Sequence, residues 1–228
     1  MGDVYYIPVW FLGFDSVMEV LFSLVTFAVA FVAYRVYRVS SERSARHLGV
    51  GFFLIGISYL LWAIFHLSLV HYFSNDVSVL YVENLPLSWI IAFYGYLVLF
   101  ISGLVTLVYA TLGIRKGGAY YIMLGLAVLV IESSVQRLLT FRIVSMFLLS
   151  FIAYHYYWEY VKRRNVKTLL VCSAFALLFI SSIDLIFARN YSAAYVVGHF
   201  LEFAAYSLLL GSLLHTIHHG FSKKEKPS

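Results

Sequence analysis

Gly198-His199-Phe200-Leu201-Glu202 places an imidazole and a carboxylate inside an apolar run that extends from Ala193 to His215. At ~1.5 Å per residue such a run is long enough to cross a hydrocarbon core of ~30 Å as a helix. His199 and Glu202 are three positions apart, so a helix presents them on one face, where both can address one site. An ionisable group at that depth costs about 3 kcal/mol unless it is paired, which makes a functional role the default expectation.

Working outward, the rest of the chain has the same character. Of its 228 residues, 62% are apolar and only 12% are charged, against ~25% charged in an ordinary soluble domain. That much apolar surface needs lipid to cover it, and the bilayer is the first expected partner. The expectation is an all-α polytopic membrane protein, with one transmembrane domain over 1–220 and a disordered cytoplasmic tail over 221–228. The single Cys172 lies in an apolar run, which excludes a disulfide framework or a thiolate metal motif. The N-terminus carries no basic stretch of the kind that opens a cleavable signal peptide.

Seven spans are expected, at about Phe14–Tyr34, Leu48–His71, Leu87–Leu112, Ala119–Val135, Leu139–Tyr160, Thr168–Ala188 and Ala193–His215. The fourth is the shortest, and Glu132, Ser133, Ser134, Gln136 and Arg137 crowd its end. Thirteen of the sixteen basic residues follow the first, third, fifth and seventh spans; only Arg137, Arg142 and Arg189 fall at the other end. By the positive-inside rule the C-terminus is cytoplasmic and the N-terminus outside, in a multi-pass protein of the cytoplasmic membrane. This distribution also accounts for the net charge of +5 without a nucleic-acid partner. The longest connection, between Tyr72 and Pro86, is expected to form a strand-like or interfacial cap over the outer mouth.

With that orientation, ionisable residues from several spans reach a similar depth in the outer half. Asp15 and Glu19 are one turn apart on helix 1, His66 is near the outer end of helix 2, and Asp184 is one turn from the outer end of helix 6. His199 and Glu202 are in the outer half of helix 7. The expected ligand or metal set is His66, His199, Glu202, Glu19 and Asp184. An up-and-down ring brings helices 2 and 7 close together, with Glu19 and Asp184 approaching from the flanks. Asp15, Glu132, Arg137 and Arg142 are expected to support the site; the alternatives are that Asp15 is an interfacial cap on helix 1 and that Glu132 pairs with Arg137 or Arg142 as structural glue. Imidazole with carboxylate oxygen suits zinc or iron. The inner cluster His215, His218 and His219 reads as interfacial.

Several functional classes drop out. A retinal Schiff base needs a lysine within a span, and none is present. Intramembrane zinc hydrolases of the ceramidase and adiponectin-receptor type place Ser-x-x-x-His on one helix and His-x-x-x-His on the last. Here Trp62 stands four before His66, and His66 and His215 belong to opposite membrane faces. Two readings remain. The first is a non-enzymatic module that binds a metal ion or small ligand, a membrane sensor or a transporter; a sensor would need a separate partner protein. The second is a metal-dependent membrane enzyme or a redox carrier with one b-type haem between His66 and His199, where Gly198 would leave room for the ring.

The orientation has a direct test. A cysteine placed at Ser78 or Ser192 should react with an impermeant thiol reagent added outside, and one at Ser222 only after the membrane is opened. The reverse pattern would invert every depth assigned above.

Overall fold

In the computed structural model the described residues are 4–5, 11–72, 80–81, 87–113, 117–188 and 191–222, and they form seven helices and one short strand pair. The helices are α1 (Leu12–Ser40), α2 (Arg43–Tyr72), α3 (Leu87–Leu112), α4 (Gly117–Glu132), α5 (Arg137–Arg163), α6 (Val166–Phe187) and α7 (Ser192–Ser222). Six of them are long and apolar enough to cross a membrane; α4, with 16 residues, is the exception. At ~1.5 Å per residue α4 spans ~24 Å, short of a hydrocarbon core. α7 continues to Ser222, and the rest of the expected tail lies outside the described residues.

Long unbroken helices follow from a run of apolar residues with little to interrupt it, and the sequence marks where they stop. Ser41 and Arg164 take left-handed backbone, with φ of 56° and 49°, and cap α1 and α5 through their backbone N–H groups. Gly113, with φ of 61°, takes the same left-handed backbone after α3. Asn165 then opens α6 by accepting a hydrogen bond from the Lys167 N–H at 3.0 Å. All three left-handed turns sit at the same end of the bundle, the end rich in arginine and lysine.

The six long helices close a ring in the order α1, α2, α3, α5, α6, α7, and α4 packs outside it against α3 and α5. This differs from a seven-membered ring. The middle of α3 meets the start of α5 directly, with the rings of Tyr96 and Phe100 of α3 centred 5.4 and 5.5 Å from that of Phe141 of α5. Tyr121, Ile122, Leu126 and Leu129 of α4 are consequently exposed. Since α3 and α5 begin at the same end, the chain between Leu112 and Arg137 runs back along the length of the bundle.

Two packing details hold the ring tight. Gly51 of α2 faces Gly103 of α3 so closely that a Cβ on Gly103 would lie 2.8 Å from the Gly51 carbonyl oxygen. Small residues allow this backbone approach in a setting where lipid removes the usual hydrophobic drive for helix association. Across the α1–α2 seam, the Ser23 hydroxyl donates to the Gly56 carbonyl at 2.9 Å. Beyond the opposite end from the basic turns, strand β1 (Val4–Tyr5) pairs antiparallel with β2 (Leu80–Tyr81), Val4 opposite Tyr81 and Tyr5 opposite Leu80. This pair joins the N-terminal segment to the expected strand-like stretch; the remainder of that connection lies outside the described residues.

Gly103→Ala should therefore lower stability by about 1–3 kcal/mol through overpacking against backbone. Gly125→Ala on α4, where an added methyl meets nothing within 4 Å, should be neutral or slightly stabilising. Thermal unfolding in detergent checks both, and equal behaviour of the two variants would contradict the close α2–α3 approach.

Candidate metal centre

The polar residues of four helices converge at the end of the bundle away from the basic turns. α1 brings Asp15 and Glu19 on one face, α2 brings His66, and α7 brings Tyr195, His199 and Glu202 at helical spacing. α5 adds Arg142. All of these are buried, with Asp15 and His66 at 0% exposure and Arg142 and Glu202 at 6%.

Asp15 is the hub. Its Oδ2 lies 3.0 Å from His66 Nδ1 and accepts a hydrogen bond from the Tyr195 hydroxyl. Its Oδ1 lies 2.7 Å from His199 Nε2. His66 Nδ1 is also 2.9 Å from Glu19 Oε1, so one ring nitrogen faces two carboxylates. These nitrogen–oxygen approaches are close but not directed as hydrogen bonds: Asp15 Oδ1, both Glu19 oxygens and both His66 nitrogens have no hydrogen-bond partner. His199 is different. Its Nδ1 lies 3.0 Å from the Tyr195 carbonyl; donating there would leave Nε2 with the lone pair, turned to Asp15. A backbone carbonyl behind a histidine is the arrangement that orients metal-ligating imidazoles.

Ligand atoms of Asp15, Glu19 and His66 all lie within 4.8 Å of one another. A tetrahedral ion with bonds of ~2.1 Å has ligand–ligand edges of ~3.4 Å, so a small outward shift from 2.9–3.0 Å would admit one. Charge points the same way. Asp15, Glu19 and Glu202 set three buried carboxylates against the one permanent cation, Arg142, whose Nη1 is 3.9 Å from Glu202 Oε1. Two further positive charges balance the group, supplied either by two imidazolium protons or by one divalent cation. Without either, neutrality would need protons on the carboxyls, since uncompensated charge out of water costs several kcal/mol.

The surroundings exclude water. Phe11 is fully buried and stands edge-on to Tyr195 and His199, with ring centroids 5.9 and 5.8 Å away. Trp62 lies 4.7 Å from the His66 ring and stacks on Tyr96. Deeper in the bundle, Tyr206 donates to Tyr59 at 3.1 Å. Glu202, Arg142, Tyr59 and Tyr206 border a cavity with about 10 Å³ of space for a water centre, enough for roughly one molecule.

Of the residues expected from sequence, His66, His199, Glu19 and Glu202 meet in this region. Asp15 sits at its centre: although it lies in the first turn of α1, its carboxylate meets His66 and His199 and caps no helix, because α1 lies between α2 and α7 in the ring. Asp184 is half-buried and makes no side-chain hydrogen bond or ion pair among the described residues. Glu132 pairs with Arg137 at 3.7 Å, both about 40% exposed, a surface contact worth about 1 kcal/mol or less. Arg142 turns instead to Glu202. His215, His218 and His219 have side chains outside the described residues.

Sequence reasoning missed Tyr195, although its position four before His199 on the same face was a usable signal. The haem alternative fares poorly on geometry. His66 and His199 converge on opposite oxygens of one carboxylate, which occupies the place an iron would need. Gly198 offers no room for a ring either, since a Cβ there would lie 2.9 Å from Leu185 Cγ of α6. Comparison of the chain with protein-family models, with curated proteins and with solved structures gives no match.

Asp15→Ala should cost about 3–5 kcal/mol, because it strands His199 and the Tyr195 hydroxyl without their carboxylate and leaves His66 only Glu19. Asp184→Ala should cost about 1 kcal/mol or less. Denaturant or thermal unfolding of the two variants side by side checks the ranking, and a larger loss at Asp184 would contradict it.

Proposed function

We propose that the chain is a multi-pass protein of the cytoplasmic membrane that binds one divalent first-row metal ion, zinc or iron(II). The ligands are Asp15, Glu19 and His66, with His199 reaching the same carboxylate from α7. The observation that carries this reading is the meeting of three buried ligand groups in which both Glu19 oxygens, both His66 nitrogens and Asp15 Oδ1 lack hydrogen-bond partners. Mixed imidazole and carboxylate donors favour such ions over calcium or magnesium, which prefer all-oxygen shells.

The orientation supports an outward-facing site. The basic turns gather at the end opposite the cluster, which by the positive-inside rule supports a cytoplasmic position for that end and an outside N-terminus. The return of the chain along the bundle between α3 and α5 is the reason to count α4, with its flanking residues, as a seventh crossing. A metal centre sealed under Phe11 near the outer face suits a membrane sensor or a transporter-like module that takes its ion from outside. A sensor of this kind would signal through a separate membrane or cytoplasmic partner protein.

Because ligation needs imidazole lone pairs and ionised carboxylates, binding should weaken as the medium is acidified. Purified protein equilibrated with zinc or iron(II) and then desalted should retain about one equivalent by elemental analysis. Asp15→Asn and His66→Ala should each abolish that retention, and the His218→Gln, His219→Gln double variant should not. Loss only in the inner-histidine variant would move the site to the other face. Retention unchanged by Asp15→Asn would remove the proposal's support.

A further inference from the structure

At the end of the bundle remote from the metal centre, side chains of α1 and α2 border an apolar groove of about 560 Å³. Phe27, Phe31 and Tyr34 form the α1 wall, and Val50 and Phe53 the α2 wall. Gly49 forms the floor: its missing side chain lets α2 approach the Ala30 carbonyl, where a Cβ would lie at 3.2 Å. From Phe27 to Tyr34, and from Phe53 back to Arg46, the groove runs seven residues along each helix. That is ~10 Å at ~1.5 Å per residue, most of the ~15 Å of hydrocarbon in one leaflet of a ~30 Å core.

The groove is not uniformly apolar. Arg46 lines it at its basic end, and the Arg35 guanidinium sits 5.6 Å from the ring centroid of Phe31, one of the wall residues. Arg46 makes no side-chain ion pair among the described residues. Arg38 and Arg43 belong to the same turn; Glu42, its one acid, uses its backbone N–H on the Ser40 hydroxyl at 3.2 Å. Two guanidiniums at headgroup level above an apolar slot of leaflet depth form a site for a molecule with an anionic head and an alkyl tail.

We propose that this groove binds an anionic glycerophospholipid of the surrounding bilayer, its phosphate between Arg46 and Arg35 and one acyl chain along Phe27, Phe31, Val50 and Phe53. Charge selects the headgroup, since basic side chains at a leaflet surface draw anionic lipid. The apolar walls select a chain over a free phosphate. With the positive-inside orientation the lipid comes from the cytoplasmic leaflet. The site is independent of the metal centre, so either can fail without the other.

The test uses the full chain in detergent, with phosphatidylglycerol and phosphatidylcholine of identical acyl chains as probes and retained lipid read by native mass spectrometry. The wild type should retain phosphatidylglycerol about tenfold over phosphatidylcholine, and inorganic phosphate should not displace it. The Arg35→Gln, Arg46→Gln double variant should lose the preference, and Val50→Trp, which fills the slot, should lose the bound lipid. Equal retention of both lipids, displacement by phosphate, or a preference that survives both variants would overturn the proposal. Elution as a single species on gel filtration confirms that each variant is folded. Should either misfold, photoreactive phosphatidylglycerol on the wild type decides: label within residues 27–53 supports the site, and label elsewhere overturns it.

Discussion

One carboxylate, Asp15, holds together three helices that lipid alone would not hold. A charged oxygen pair removed from water is tolerated only when its neighbours return what hydration gave, and Asp15 is served by His66 from α2 and by His199 and Tyr195 from α7. Because α1 sits between α2 and α7, this sharing closes the ring at the point where the first and last spans meet. In a soluble protein, apolar burial would carry that closure. Within a bilayer apolar side chains gain little by leaving lipid for protein, so polar contacts and close backbone packing carry more of the specificity. The Gly51–Gly103 approach supplies the second kind of closure on the opposite side of α2.

The same constraint explains why the cluster is suited to an ion. Buried carboxylates outnumber the permanent cation, and the atoms facing one another at 2.7–3.0 Å include several with no hydrogen-bond partner. Structural glue of the ordinary kind satisfies its members, as the paired Tyr59 and Tyr206 hydroxyls do. The proposed dication reading rests on lone pairs that converge, with the Tyr195 carbonyl and hydroxyl beside the His199 ring and the Asp15 carboxylate in the position of an orienting shell. Phe11 and Trp62 keep water from screening the charges, which strengthens each interaction inside.

Much of the fold could be read from the sequence, because long apolar runs in lipid leave few alternatives to helices, and left-handed residues such as Gly113 mark their ends. The placement of α4 was harder. Its composition resembles that of the other spans, and only its contacts put it outside a six-membered ring. For the site, depth was legible from helix direction and residue number, which is why His66, His199, Glu19 and Glu202 could be nominated together. Rotation about each helix axis was not legible, and that is where Asp15 and Asp184 parted. Both sit one turn from a helix end at the same end of the bundle; ring closure turns Asp15 to the centre, while Asp184 stays half-buried on α6. Tyr195 went unnoticed because tyrosine is so frequent in this chain that a single one at the right spacing carries little information.

The central claim concerns what fills the space among Asp15, Glu19 and His66, and metal-edge X-ray absorption on the purified, metal-loaded protein addresses it most directly. A first shell of mixed nitrogen and oxygen at ~2.0–2.2 Å, with outer-shell imidazole scattering that disappears in His66→Ala, is the result the account predicts. A shell of oxygen alone, identical in the wild type and in His66→Ala, would contradict it.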